Sequence, residues 1–548
     1  MLGVDRPESR SSLDEPMLDV TDPAGASSIS SAIIAASDGS EKARGTGRPG
    51  LNRVLLIVLI VMSLISIGLA VGLGIVATKY VKNASGTGTG QQQQATIPDS
   101  WLRMFALSDV HLNILYSDTA SAFGYPPCQN KSTGQKFANR APFGRVGCDS
   151  PQVLFESTLS SMVEVDRATR ADVILVTGDK SGHHLYTSAD GANQHGTVVL
   201  KAQAQFTQTL GRYFPGRRHI LTMGNNDVPY HWQVPTTSWY ESLWQYWAPL
   251  ILCPDCAQGR FSTRVNEAEF NTTFLRGGYY KVQVSDGLVL LIVNSLYWSA
   301  YAWSQTVPFR DEIPVIANEQ MQWLETSLKQ AESRGMKAVI VGHVPPGLDP
   351  YRPHLNRVGY VQQFWFDNYT QIFLQTVAET FQDTVACNIF AHLHKDDFHV
   401  HSYNSDNSTR TATLLLSSIS PVYENNPAYR MLYFHPQDWY LADYTQYWTD
   451  LVQANTRQVS ALWQKQYTFS EAYPGVQRID SARLQALWSQ IMSTDDSSVW
   501  LRFMQHRQTN AANTLNSYSR DHLYCIAYTA NLTAYASCRQ QHPYEPKS

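Results

Sequence analysis

Five short motifs in the sequence combine aspartate, histidine and asparagine with glycine. They are Ser108–His111, Thr177–Asp179, Met223–Asp227, Gly342–Pro346 and Ala391–His394. Histidine nitrogens mixed with carboxylate and amide oxygens suit borderline divalent ions such as zinc, manganese or iron. A calcium cage would contain more carboxylates and no histidine. The motifs therefore indicate a binding site for borderline divalent ions.

The spacing within two of the motifs would let neighbouring ligands meet. Side chains two residues apart point to the same face of an extended chain, so Asp109 and His111 can reach one point. His392 and His394 share this spacing. Each pattern alone is common by chance, and a lone HxH pair more often lies on an ordinary protein surface. All five motifs in this order, each after an apolar run, favour a functional site.

Short apolar runs rich in β-formers precede the motifs and predict the strands that position them. These runs are Leu102–Leu107, Val173–Val176, His219–Met223, Val289–Val293 and Ala338–Val341. The motif glycines allow tight turns just after the strands. Such turns place ligands beyond the carboxyl edge of a sheet, where α/β proteins hold their sites.

Helix-like stretches lie between several of the strands. Asp149-Ser150-Pro151 is a cap signal for a helix that runs to about Arg170. Asn318 is predicted to cap a second helix, which ends near Arg334. Alternating strands and helices indicate an α/β domain.

The N-terminal part of the chain has a different composition. Residues 1–52 have few large apolar side chains and are predicted to be a disordered cytoplasmic tail. Residues 54–77 form an uncharged apolar run, long enough to cross a bilayer core of about 30 Å. Residues 78–100 are predicted to be a flexible stalk. The sequence therefore predicts a single transmembrane helix before the catalytic part.

Charge and small residues predict how this span is used. Four basic residues precede it: Lys42, Arg44, Arg48 and Arg53. The positive-inside rule then predicts a single-pass type II protein, with the bulk of the chain lumenal, in a lysosome-like or vacuole-like compartment, or extracellular. Gly68 and Gly72 form a GxxxG pair, which leaves a homodimer open. The net charge of −4 gives no sign of a nucleic-acid polymer as partner.

Cysteines and glycosylation sequons agree with that topology, because the seven cysteines and five of the sequons lie well beyond the span. The five asparagines are Asn130, Asn271, Asn368, Asn407 and Asn531. Sequence order favours three disulfides: Cys128–Cys148, Cys253–Cys256 and Cys525–Cys538. Cys387 is left over in an apolar run and is predicted to be a buried free thiol.

The series DxH, GD, GN, GH and HxH resembles the calcineurin-like metallophosphoesterases. Within them the chain is most similar to the acid sphingomyelinase-like phosphodiesterases, from Leu102 to Cys538. Further stretches carry the resemblance: Gly147–Pro151, the GDxxxH spacing of Asp179 and His183, Asn425–Arg430 and Phe469–Tyr473. Gly224–Asp227 and the anchor also resemble the vacuolar endopolyphosphatases.

The resemblance implies a four-layer αββα sandwich with a C-terminal helical subdomain. The catalytic domain would cover residues 101–437, and residues 438–548 would form the helical, disulfide-containing part. The resemblance also implies two divalent metal ions, with zinc expected. One ion would bind Asp109, His111 and His394. The other would bind Asn225, His343 and His392, and both oxygens of Asp179 would bridge the two ions.

In this scheme a water activated by the two metals attacks phosphorus, and the leaving oxygen needs a proton. Many relatives have histidine after the Gly-Asn pair, but this chain has Asn226, whose amide is not an acid. The GDxxxH spacing assigns that task to His183, and Asn226 is predicted as a second catalytic position beside the leaving group. His184 and His231 are alternative candidates.

Three functions follow from the sequence. The leading one is a phosphodiesterase that acts on a sphingomyelin-type lipid or a nucleotide-type substrate. The second is an endopolyphosphatase, which would cleave phosphoanhydride bonds and is favoured by Gly224–Asp227 and the anchor. The HxH pair and the lack of a Lys-rich stretch oppose it. The third is an inactive binding ectodomain, which the intact ligand set opposes.

Overall fold

The part of the chain that the structure describes contains twelve strands, five of which directly precede the motifs. The computed structural model describes residues 97–122, 127–129, 134, 136–185, 195–256, 259–305, 311–350, 361–403, 410–457, 460–493, 497–511 and 519–542. The strands in this part of the chain are β1 Leu102–Leu107, β2 Val173–Val176, β3 Arg218–Leu221, β4 Tyr280–Gln283, β5 Leu288–Ile292, β6 Lys337–Val341, β7 Val385–Phe390, β8 Asp397–His399, β9 Thr413–Leu415, β10 Ala428–Phe434, β11 Leu441–Thr449 and β12 Trp463–Thr468. The five predicted strands are all present, with ends shifted by two residues at most.

Helices connect the strands and dominate the C-terminal end. They are α1 Gln152–Thr169, α2 His195–Tyr213, α3 Thr237–Leu252, α4 Glu267–Gly277, α5 Ala300–Gln305, α6 Ile313–Ser333, α7 Asp367–Leu374, α8 Leu451–Arg457, α9 Phe469–Ala472, α10 Ser481–Met492, α11 Ser497–Arg507, α12 Arg520–Tyr528 and α13 Leu532–Gln541. A 3₁₀ turn covers Ser295–Trp298, and α7 continues into a π turn over Gln375–Thr380.

The two predicted helices differ from expectation at their starts. Helix α1 begins where the sequence predicts, but no side chain caps it, because the Asp149 carboxylate bonds His183 instead. Helix α6 begins at Ile313, and Asn318 lies inside it. A proline in the first turn explains the earlier start, since its fixed φ suits that position.

The strands form two six-stranded mixed sheets. The first has the order β12-β11-β10-β1-β2-β3, and the second β4-β5-β6-β7-β9-β8. In the first sheet β1, β2 and β3 run parallel, as do β5, β6 and β7 in the second. All the side chains of β1 and β2 are buried, as in parallel strands covered on both faces.

Side chains from both sheets join one hydrophobic cluster, which includes Phe105, Leu175, Leu290 and Ile340. Mixed sheets with C-terminal helices confirm the predicted α/β class. The four-layer arrangement of the sandwich stays a prediction.

The helical part begins later than residue 438. Strands β11 and β12 follow that position and complete the first sheet beside β10. The aromatic and β-branched residues of β11 suit a pleated surface, which explains why the chain remains extended there. The helices α9 to α13 then follow, and residues 95–548 form one compact unit.

The predicted membrane span at 54–77, the tail and the stalk up to residue 96 lie outside the described residues. Among the residues that are described, no helix combines the length and the apolar character needed to cross a bilayer. The type II topology therefore stays a prediction.

All three predicted disulfides are confirmed: Cys128–Cys148, Cys253–Cys256 and Cys525–Cys538. Cys387 is a buried free thiol, as predicted. Burial raises the pKa of this thiol to about 12, so it is unreactive at neutral pH.

Candidate metal centre

The first group of candidate ligands contains Asp109, His111 and His394. Asp109 and His111 follow β1, and His394 follows β7 in the other sheet. The Nε2 atoms of His111 and His394 lie 3.1 Å apart, and Nε2 of His394 lies 3.3 Å from Oδ1 of Asp109. All three residues are buried, and their ligand atoms lie within 4.8 Å of one another. This group can hold one ion.

The second group contains Asp179, His343 and His392, whose ligand atoms also lie within 4.8 Å of one another. Asn225 joins it, because its Oδ1 lies 3.0 Å from Nε2 of His343. The loops after β2, β3, β6 and β7 supply these residues. The structure thus brings together all seven predicted ligands, and their metal binding itself stays a prediction.

Asp179 connects the two groups through one oxygen atom. Its Oδ2 lies 3.4 Å from Nε2 of His111 and 3.2 Å from Nε2 of His343. Its Oδ1 accepts a hydrogen bond from the backbone N–H of Asn226. Oδ2 also accepts from the Asn226 side chain, so both oxygens are hydrogen-bonded, and the expectation that both bridge two ions stays a prediction.

The backbone is left-handed at five of the candidate ligands. The φ angles are 46° at Asp109, 44° at His111, 49° at Asp179, 71° at His392 and 55° at His394. Such angles cost about 1 kcal/mol or more at each non-glycine residue and recur at functional sites. The DxH and HxH pairs converge through these bends and not through extended chain.

Three motif glycines leave room for the ligands. A Cβ atom on Gly224 would lie 2.1 Å from Oδ1 of Asp179, and one on Gly178 would lie 2.6 Å from the His343 ring. A Cβ atom on Gly342 would meet Phe390 at 2.5 Å. The glycines of the GD, GN and GH motifs are therefore required by close packing.

The acceptor atoms of the site are arranged to suit bound cations. Nδ1 of His343 donates to the carbonyl of Thr177, so Nε2 of the neutral ring faces the Asn225 oxygen as a second acceptor. Two acceptors at that distance repel each other unless a proton or a metal ion supplies positive charge. Oδ1 of Asp109 is also buried, and no described residue gives it a well-aligned hydrogen bond.

The pKa shifts of the site residues also favour bound cations. Burial lowers the pKa of His111, but the Asp179 and Asp109 carboxylates outweigh this and raise it to about 9. Burial, with a smaller contribution from neighbouring histidines, outweighs the nearby carboxylates and lowers the pKa of His392 to about 3 and that of His394 to about 4. The carboxylates thus draw positive charge into a buried site, beside neutral imidazoles with lone pairs to share. These residues fit a pair of divalent cations.

Asn226, a predicted catalytic position, hydrogen-bonds to the carboxylate of Asp179. Its side-chain Nδ2 donates to Oδ2 and its backbone N–H to Oδ1, both at 2.8 Å. Its amide therefore holds the shared carboxylate, and proton transfer to a leaving group needs another residue.

His183, the predicted acid, stacks on His111 with ring centroids 4.1 Å apart. Its Nδ1 lies 2.9 Å from Oδ1 of Asp149, whose Oδ2 accepts the backbone N–H of His183 at 2.6 Å. Asp149 follows Cys148 of a disulfide and is buried. Burial raises the pKa of Asp149, but His183 outweighs this and lowers it to about 2. Asp149 therefore stays charged and fixes the ring. Sequence reasoning assigned this carboxylate to a helix cap.

The two alternative histidines lie beside His183. The rings of His184 and His231 have their centroids 6.2 Å and 5.9 Å from that of His183. His231 also contacts Asn225, with Nε2 2.8 Å from the amide Nδ2.

The residues after His394 anchor the last motif to the C-terminal part. Asp396 pairs with Arg430 of β10, and Asp397 pairs with Arg507 at 2.6 Å. All four side chains are buried. Sequence reasoning missed these pairs, although Arg430 ends the Asn425–Arg430 stretch that carries the resemblance.

Comparisons with known proteins find similarity to phosphodiesterases. A family model described as the acid sphingomyelin phosphodiesterase C-terminal region matches residues 405–542. A sphingomyelinase phosphodiesterase D from Dictyostelium discoideum is 28% identical over 337 residues, which cover 60% of this chain and 67% of that protein. A cyclic GMP-AMP phosphodiesterase from Rattus norvegicus is 24% identical over 446 residues, 80% of this chain and 91% of that protein.

Among solved structures, a dimetal phosphatase from Danio rerio is similar over 67% of this chain and 99% of its own, with 13% identity and a TM-score of 0.38. The predicted resemblance to acid sphingomyelinase-like phosphodiesterases is confirmed by the sequence relatives and the family model.

Proposed function

We propose that this chain, a phosphoesterase homologous to the acid sphingomyelinase-like phosphodiesterases, hydrolyses phosphodiesters by attack of water on phosphorus. The observation that carries the proposal is the convergence of the predicted ligands from both sheets on the Oδ2 atom of Asp179. An inactive binding ectodomain would have no need for five ligands with left-handed backbone, four of them buried.

We assign one ion to Asp109, His111 and His394, and the other to Asn225, His343 and His392, with Asp179 between them. Zinc is the metal we expect from this mixture of imidazole, carboxylate and amide. When bound, such a pair neutralises charge on phosphoryl oxygens and lowers the pKa of water.

The residues of this chain supply the rest of the reaction. His183 would protonate the leaving oxygen from Nε2, because Asp149 occupies Nδ1 at 2.9 Å and fixes the tautomer. Asn226 keeps the Asp179 carboxylate in place through two donors. The bond from phosphorus to the leaving oxygen breaks as the bond to the attacking water oxygen forms.

The substrate class we propose is a phosphodiester of the sphingomyelin or nucleotide type. The relatives' names, a sphingomyelinase phosphodiesterase and a cyclic GMP-AMP phosphodiesterase, support this choice. Gly224–Asp227 suggested an endopolyphosphatase, but the Asp227 carboxylate is fully buried in an ion pair with Lys180. Asp227 therefore has a packing role that is independent of the substrate.

The test is a substrate panel on the purified part of the chain after residue 96, with metal analysis of the same sample. We expect two divalent ions per chain and hydrolysis of sphingomyelin, CDP-choline or cyclic GMP-AMP, but not of long-chain polyphosphate. Asp179→Asn should abolish activity, and His435→Ala, at a half-buried histidine paired with Asp438 3.9 Å away, should not. Metal-free, inactive wild-type protein would overturn the proposal.

We also propose that the chain is a glycosylated type II membrane protein. Of the sequon asparagines that the structure describes, Asn368 is exposed near the start of α7. Asn271 accepts a hydrogen bond from Trp244, and Asn531 caps α13. Protease protection of the full chain in sealed vesicles tests the topology, since a cytoplasmic catalytic part would be digested.

A further inference from the structure

We infer that His231 is a positioning residue, which orients the Asn225 amide so that its oxygen faces the second metal group. This inference rests on the proposed function, because it concerns a residue that would bind the metal. In the sequence His231 is only an alternative acid. Its contact in the structure gives it a different role.

The contact involves both ends of the Asn225 amide. Nδ2 lies 2.8 Å from Nε2 of His231, and Oδ1 lies 3.0 Å from Nε2 of His343. An amide NH₂ group only donates, so a neutral His231 must accept at Nε2 and carry its proton on Nδ1. The opposite tautomer would donate from Nε2, and it would favour the flipped amide, with NH₂ toward His343.

The difference between these two orientations decides whether Asn225 binds a cation. The amide oxygen has lone pairs to offer, whereas the NH₂ group has none. A neutral His343, which donates from Nδ1 to Thr177, would accept at Nε2 and so would favour the flipped amide. His231 therefore supplies the selection.

The loop that carries His231 is built to hold it there. The backbone N–H of Trp232 donates to the carbonyl of Asn225 at 3.0 Å, which closes the loop between the two residues. Trp232 has φ of 66° and packs its ring 5.1 Å from that of His392. The loop thus contacts another candidate ligand of the same metal group.

Amide variants of His231 provide a matched test. Glutamine carries its amide at about the reach of Nε2, and asparagine only at about that of Nδ1. The protein would be stripped with a chelator, and zinc would then be titrated against a competing indicator. We expect His231→Asn and His231→Leu to weaken the second zinc site about 10–100-fold, the usual effect of losing a partner of a metal ligand. His231→Gln should remain within about threefold of wild type, a small part of that effect.

His435→Leu, at the histidine paired with Asp438, is the control and should leave both zinc affinities unchanged. Thermal unfolding of the metal-free variants shows whether asparagine and glutamine fold equally well. Equal zinc affinity in the asparagine and glutamine variants would overturn the inference, whether both match wild type or both are weakened. Wild-type protein that binds no zinc would instead overturn the proposed function.

Discussion

Lys180 and Asp227 form a fully buried ion pair, with 2.6 Å between Nζ and Oδ2. Lys180 directly follows Asp179 in the chain, and Asp227 lies two residues after Asn225. Oδ2 of Asp227 also accepts the backbone N–H of Gly224, and Oδ1 accepts that of Lys180. The Asp227 carboxylate thus hydrogen-bonds to the backbone of both the GD and the GN motif. It supports the seven candidate ligands without being one of them.

Replacing Asp227 should therefore damage both stability and metal binding. Asp227→Asn leaves the Lys180 charge buried without a counterion, which costs about 3–5 kcal/mol. We expect the urea midpoint to fall accordingly and zinc affinity to fall with it. Glu325→Gln removes an exposed pair with Lys329 at 2.6 Å and should cost under about 1 kcal/mol. Equal losses in the two variants would contradict this role for Asp227.

The Asp149–His183 pair predicts a dependence on the leaving group. His183→Ala should lower kcat/KM about 10²–10⁴-fold on substrates with an alkoxide leaving group, since a positioned acid contributes this much. On a p-nitrophenyl ester, whose leaving group needs no proton, the loss should be small. Asp149→Asn should show the same selectivity with a smaller loss. A uniform loss on both substrates would remove His183 from this role.

Replacing Gly224 by alanine should disturb the site by steric overlap alone, without a change of charge. Gly224→Ala places a methyl group 2.1 Å from Oδ1 of Asp179, so the shared carboxylate must move. We expect loss of metal binding and of activity, measured by metal analysis and by hydrolysis of the preferred substrate. Gly259→Ala is the control, because its new methyl group would lie 3.8 Å from the carbonyl oxygen of Phe261, an ordinary contact distance. Normal zinc content in Gly224→Ala would contradict the packing argument.

The buried ring of His506 should make the free energy of unfolding depend on pH. Burial lowers its pKa from the ordinary 6.5 to about 3, and its ring stacks on Tyr467 at 3.8 Å. Between these pH values the unfolded chain binds a proton that the folded chain excludes, so stability falls as the pH drops below 6.5. From pH 7 to pH 5 this group should remove about 2 kcal/mol.

His506→Phe should reduce the pH dependence of the unfolding free energy by that amount, as measured by urea unfolding at both pH values. His435→Phe serves as the control. An unchanged pH dependence in His506→Phe would show that the folded protein accepts the proton.

The sequence predicted the ligands of the site because their chemistry is local. Each ligand is one of a few residue types, and each follows an apolar strand by two to four positions, as Asp109 follows β1. The strands themselves were predictable for the same reason, since burial on both faces requires an uninterrupted apolar run.

What could not be predicted depends on pairing between distant residues. Asp149 looked like a helix cap because the local pattern satisfied that role, and only the fold brings His183, 34 positions away, to its carboxylate. The same holds for Lys180 and Asp227, 47 positions apart. Strand β11 was missed because its partner β10 is what makes an extended chain favourable there.

The candidate ligands are divided between the two sheets: Asp109, His111, Asp179 and Asn225 follow strands of the first, and His343, His392 and His394 follow strands of the second. Ions bound between these two sets of ligands would hold the two separately hydrogen-bonded sheets together. A shift of one sheet relative to the other would separate the ligands, so metal occupancy would report on the alignment of the sheets. The packing of the sheets and the chemistry would then depend on the same few ligand atoms.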